Sequence, residues 1–168
     1  MKKDNITLIG MPGVGKSTVG VVLAKALGYR FLDSDLVIQE RTQKLLHELI
    51  LAYGEEGFLK IENEVNAGLT VNRTVIATGG SAVYGTEAME HLRDISTVVY
   101  LKLSYRSLER RLGDLRERGV VMKPGQTLRE LMDSRCPLYE ACAHKTVDVE
   151  DLEIREVVEK IVALQKNG

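Results

Sequence analysis

The run GMPGVGKST, Gly10 to Thr18, follows directly on the apolar segment ITLIG and leads into residues with helical spacing. Gly10, Gly15, Lys16 and Ser17 match G-x-x-x-x-G-K-[ST], and a strand before and a helix after are the context the pattern requires. Glycines let the chain curl so that backbone N–H groups surround a phosphate at the helix N-terminus. The pattern makes Gly13, Val14, Gly15, Lys16, Ser17 and Thr18 the expected nucleotide contacts. Lys16 reaches the β- and γ-phosphates, and the Ser17 hydroxyl is a ligand for Mg²⁺. The firmest expectation is therefore binding of a nucleoside triphosphate.

Strand and helix signals alternate along the rest of the chain, as in a mostly parallel sheet with helices on its faces. Five β-like runs are expected, at Ile6–Gly10, Arg30–Ser34, Thr74–Thr78, Thr97–Leu103 and Lys145–Val149. Val19, Val22, Leu23, Ala26 and Leu27 recur at helical spacing between the first two, with Gly28 as the stop, completing a βαβ unit. Residues 36–69 read as a helical insertion interrupted near Gly54 and Gly57, of the kind that shapes a substrate pocket. Further helices are expected at Glu87–Asp94, Tyr105–Arg116, Thr127–Ser134 and Ile154–Gln165. RERGVVMKPGQ is the longest irregular piece.

A chain of 168 residues is the size of one domain, and 44% hydrophobic with 28% charged residues is a soluble composition. Net charge −1 offers nothing to attract nucleic acid or an anionic membrane, so neither is expected as a partner. Cys136 and Cys142 do not make a disulfide framework, and the opening MKKDN carries no long apolar segment; the expectation is a cytoplasmic, reducing setting. His47, His91 and His144 lack ligand spacing. No N-K-x-D guanine-reading pattern occurs, and a chain this short leaves a motor little to move. A small-molecule kinase remains as the outcome for the phosphate.

In FLDSDL, Asp33 and Asp35 end the second β-like run, at the edge where open α/β sheets bind ligands. Two residues apart on a strand, both carboxylates face one side. One can serve Mg²⁺ through water and the other can accept a hydroxyl proton. The same residues also fit a helix N-cap followed by a solvated acid.

Taken with GEEGF..IE, ATGGSAV, VVYLKL and SRCPLY, these stretches resemble the shikimate kinases over nearly the whole chain. The resemblance implies a five-stranded parallel sheet with helices on both sides, a helical substrate-binding region at about 36–69 and a mobile lid at about 114–126, in a monomer. It implies transfer of the γ-phosphate of ATP to a hydroxyl of a small cyclic carboxylate. It assigns Lys16 and Ser17 to phosphates and Mg²⁺, Asp33 to the metal's water shell and Asp35 to the substrate hydroxyls. Gly79 and Gly80 line the substrate pocket, Arg111 stacks on adenine, and Arg118 in ERGVV is the lid arginine, with Gly119 where the family has proline. Arg118 would supply charge to the transferring phosphoryl, although a solvated basic loop looks the same. Arg135 either caps a helix end before Pro137 or holds the substrate carboxylate.

Two positions depart from the family pattern. Leu59 stands where the family has a second carboxylate-binding arginine, and Ser81 replaces the third glycine of a triplet. An arginine–carboxylate bond contributes about 1.5 to 3 kcal/mol, so its loss weakens the hold on shikimate or marks a different acceptor. The alternatives are a kinase of another small hydroxy acid or hydroxy amino acid such as homoserine, and a nucleotide-binding regulatory module without transfer activity.

Overall fold

The structure is a computed structural model that describes residues 3–112 and 120–168. Five parallel strands form one sheet in the order β2-β3-β1-β4-β5. They are β1 (Asn5–Ile9), β2 (Arg30–Asp33), β3 (Thr74–Ala77), β4 (Ser96–Lys102) and β5 (Lys145–Asp148). Each lies within one residue of its expected bounds. Helices α1 (Lys16–Leu27), α2 (Ser34–Thr42), α3 (Leu46–Ala67), α4 (Thr86–Ile95), α5 (Tyr105–Arg111), α6 (Leu128–Cys142) and α7 (Ile154–Lys166) connect and follow them.

The strand order explains why the apolar runs lack alternation. All residues of β1 and β3 are buried, because helices cover both faces of a parallel sheet. Right-handed crossovers put α1 on one face, where it packs against α7, and α3 on the other, where it packs against α4. Two polar groups at the sheet's amino edge are paired across strands. Thr7 Oγ1 and Ser96 Oγ share a hydrogen bond of 2.7 Å between β1 and β4. Asn5 Nδ2 donates to the Val71 and Ile95 carbonyls at 3.0 and 2.9 Å, and Asn5 Oδ1 accepts from the Thr74 N–H at 3.0 Å.

Three expectations are corrected. The helix that begins near Thr127 does not stop at Ser134; α6 runs through Pro137 to Cys142. Pro137 leaves the Asp133 carbonyl without its N–H, but both residues lie on the exposed face where water can take it. The helical insertion is broken between α2 and α3 at 43–45 and again at Gly54, with φ 72° and ψ 179°, while Gly57 stays helical against Tyr53. The helix from Tyr105 ends at Arg111, and its expected continuation toward Arg116 lies outside the described residues apart from Leu112, whose backbone is extended.

Asn5 holds three backbone groups at the amino edge of the sheet, far from the carboxyl edge where ligands bind. Asn5→Ala should lower unfolding free energy by about 2 to 4 kcal/mol in urea melts, since several buried backbone groups lose their partner together. Catalysis by the folded fraction should be unchanged.

Candidate active site

The loops after β2, β3 and β1 leave three adjacent strands at the same edge, so the order β2-β3-β1 brings their residues together. They enclose a cleft of about 300 Å³ lined by Lys16, Ser17, Asp35, Glu62, Gly79, Gly80 and Arg135, with Leu46, Phe58, Val120 and Val121 as apolar walls. Val120 and Val121 belong to the described part of the expected lid. Arg118 lies outside the described residues.

Gly13 and Gly15 both take positive φ in the loop after β1, and Gly15 opens α1. Lys16 folds back over this loop. Its Nζ donates to the Gly10 carbonyl at 2.6 Å and the Met11 carbonyl at 2.9 Å. Burial lowers its pKa to about 8, against the opposing pull of Asp35. The ammonium is thus fixed where an anion entering the loop meets it.

Asp33 is the helix N-cap that the sequence offers as one of its alternatives, and it uses both carboxylate oxygens. Its Oδ1 accepts the Asp35 N–H at 2.9 Å as the N-cap of α2, and its Oδ2 accepts the Ser17 hydroxyl at 2.8 Å. The expectation that Asp33 and Asp35 share one strand is corrected: β2 ends at Asp33, and Asp35 is in the first turn of α2. Asp35 still reaches the cleft. Burial first, and then the Asp33 charge, push its pKa up to about 6, while Lys16 opposes.

The glycines after β3 are there for close approach. A Cβ on Gly79 would stand 2.7 Å from Asp35 Oδ1 and 2.8 Å from Glu62 Oε2. On Gly80 it would stand 2.8 Å from Arg135 Nη1. Arg135 does not cap a helix end; it is 1% exposed in the middle of α6, with Nη2 donating to the Val121 carbonyl at 2.7 Å. Its Nε has no hydrogen-bond partner among the described residues, which leaves a buried guanidinium edge toward the cleft. Tyr139, one turn on, donates its hydroxyl to the Gly80 carbonyl at 2.6 Å and ties the helix to the glycine loop.

Glu62 was not singled out from the sequence. The signal was its place at a buried position of α3, one turn after Phe58, where an acid is expensive. Burial pushes it up to about 7, opposed by a hydrogen bond from Ser81. Leu59, by contrast, does not line the cleft; it is half-buried against the apolar group of Ile38, Leu49, Phe58, Val65 and Val121. Lys60 is exposed and replaces no arginine there.

A second cavity of about 320 Å³ lies across the phosphate loop, lined by Val14, Gly15, Thr18, Arg111, Val149, Leu152 and Ile154. Arg111 directs its guanidinium at the Gly13 and Val14 carbonyls, at 3.5 and 3.4 Å. Gly15 and Thr18 line both cavities. For Mg²⁺, the Ser17 hydroxyl and the Asp33 carboxylate are adjacent hard oxygens of the right kind. Among the described residues no group of three or more His, Cys, Asp or Glu could hold a metal.

Comparison with known proteins decides the family. The shikimate kinase family profile matches residues 12–166. The chain belongs to the shikimate kinase family. A shikimate kinase of Methylococcus capsulatus is 42% identical over 170 residues, covering 99% of this chain and 95% of that one. The shikimate kinase of Acinetobacter baumannii in complex with shikimate superposes with a TM-score of 0.84 at 33% identity, covering 97% and 93% of the two chains. That of Aquifex aeolicus gives 0.83 at 31%, covering 97% of each. Membership makes the chain an ATP-dependent kinase on a P-loop kinase fold.

Gly79→Ala tests the close approach. The methyl group must displace Asp35 or Glu62, and kcat/KM for phosphoryl transfer should fall about 100-fold or more. Circular dichroism should remain that of the wild type.

Proposed function

We propose that the chain transfers the γ-phosphate of ATP to a hydroxyl of shikimate, giving shikimate 3-phosphate and ADP. The observation that carries this reading is the pair of cavities that share Gly15 and Thr18, one acidic and arginine-bearing, the other half-apolar. A nucleotide laid along the loop puts its base in the second cavity beside Arg111 and its terminal phosphate beside Lys16. The acceptor then occupies the first cavity, with its carboxylate at Arg135 and its hydroxyls at Asp35 and the Gly79–Gly80 backbone. The solved relative with shikimate bound supports that choice of acceptor. So does Leu59, which stands in an apolar cluster and forms no wall for a smaller acceptor.

In this reading Asp35 takes the proton of the acceptor hydroxyl as its oxygen bonds to the γ-phosphorus and the bond to the bridging oxygen of ADP breaks. Lys16 moves from the Gly10 and Met11 carbonyls to the phosphate oxygens and balances the charge that shifts between them. Ser17 and Asp33 would hold Mg²⁺, which supplies charge neutralisation to the phosphates when bound. Arg118 keeps its role as a further cation on the transferring group, and 114–126 its role as a lid, on the strength of the family pattern. The chain acts as a single-domain cytoplasmic monomer with no nucleic acid or membrane partner. Among the described residues no helix is long and apolar enough to cross a membrane.

A coupled ADP-release assay with shikimate and with homoserine tests the acceptor directly. The kcat/KM should favour shikimate strongly, and absence of turnover on shikimate would refute the reading. Lys16→Ala should lose about 100-fold or more in kcat, comparable to removing one preorganised donor from a charge-stabilising site. The acid limb of kcat/KM should fall toward tenfold per pH unit below about 6, because Asp35 must be ionised to accept the proton and protonation through its raised pKa removes that capacity.

A further inference from the structure

Glu62 is an acid that the transfer chemistry leaves unused. At 2% exposure it has one hydrogen-bond partner among the described residues, the Ser81 hydroxyl, which donates to Oε1 at 2.6 Å. Its Oε2 has none and lies against Gly79, facing the acceptor end of the cleft. Charged groups face it from three other helices: Lys16 on α1, Asp35 on α2 and Arg135 on α6. Arg135 likewise has no ion-pair partner among the described residues. A buried carboxylate and a buried guanidinium therefore look into one cleft without touching.

An acceptor carboxylate docking at Arg135 adds a second anion to the low-dielectric space that Glu62 occupies. Two anions in such a space favour protonation of the one that can take a proton. We propose that Glu62 yields its charge by taking a proton from solvent as the acceptor carboxylate docks, and that Ser81 is the positioning residue holding it through Oε1. The inference rests on the carboxylate-acceptor reading above. The new O–H bond forms at Oε2, the oxygen without a partner, and the negative charge lost at Glu62 equals that brought by the acceptor. The net charge of the cleft is unchanged by docking, so the balance that Lys16 needs for the nucleotide is preserved. Burial already holds Glu62 near neutrality, which keeps the cost of this proton small at ordinary pH. A neutral acceptor adds no charge and calls for no such proton, so the coupling of binding to pH is confined to acids.

The test is calorimetric titration of shikimate into the nucleotide-free protein at several pH values, in pairs of buffers of different ionisation enthalpy. Proton uptake approaching one per shikimate should appear just above pH 7, with Kd rising by up to about tenfold per pH unit there. In Glu62→Gln that uptake and that slope should vanish. In Ser81→Ala the profile should move up by about one pH unit, because the charged carboxylate loses its donor. A serine that merely packs would change affinity equally at every pH. Binding without uptake overturns the inference and leaves the proposed function standing, whereas uptake that persists in Glu62→Gln sends the proton to Lys16 or Asp35 and overturns it as well. Failure of shikimate to bind at any pH would overturn both. If Glu62→Gln does not fold, the wild-type and Ser81→Ala profiles decide: an unmoved profile rejects Glu62 as the proton's destination.

Discussion

A strand buried on both faces has no side chain to spare for chemistry, and β1 is such a strand, flanked by β3 and β4 and covered by helices. Reactive groups can then enter only where the strand ends. The phosphate loop occupies the carboxyl end of β1, and the neighbours in the sheet bring Asp33 from β2 and the glycine pair from β3 to the same edge. The Asp33 carboxylate joins these pieces by binding the Ser17 hydroxyl on one side and capping α2 on the other. The site is a consequence of strand order more than of any single helix.

That edge is electrostatically crowded. Lys16 and Arg135 are buried cations, and Asp35 and Glu62 are acids held largely out of water. Isolated, each would be costly, and no direct ion pair among the described residues of the cleft offsets them. They are tolerable because they moderate one another: Lys16 lowers the acids, and the acids raise Lys16. A polar cleft of this kind has its stability tied to what fills it.

The parts legible in the sequence were those where function depends on neighbours in the chain. Lys16 and Ser17 follow from Gly15 because a phosphate loop is local geometry, and the central strands β1, β3 and β4 were legible because both-face burial writes largely apolar runs. What escaped depends on partners distant in sequence. Glu62 matters because Ser81 and Gly79 fold against it, and nothing in GEEGFLKIE alone announces that. Pro137 looked like a helix end because the local rule says so, yet the buried anchors Arg135 and Tyr139 belong to one helix that continues past it. Asp33 was read as either a cap or a functional acid; the cap is present, and its second oxygen accepts the Ser17 hydroxyl.

The wall formed by Gly15 and Thr18 is common to both cavities, so the two cavities are separated by little more than the width of a backbone turn. A compound that spans this wall would turn the second binding event into an intramolecular one. Its avidity would then be set by the stiffness of a short tether, and each half could be modest on its own. The glycine at position 15 leaves that passage open, since a Cβ there would meet nothing within 4 Å. The partition between the two cavities is therefore also the place where one molecule could occupy both seats.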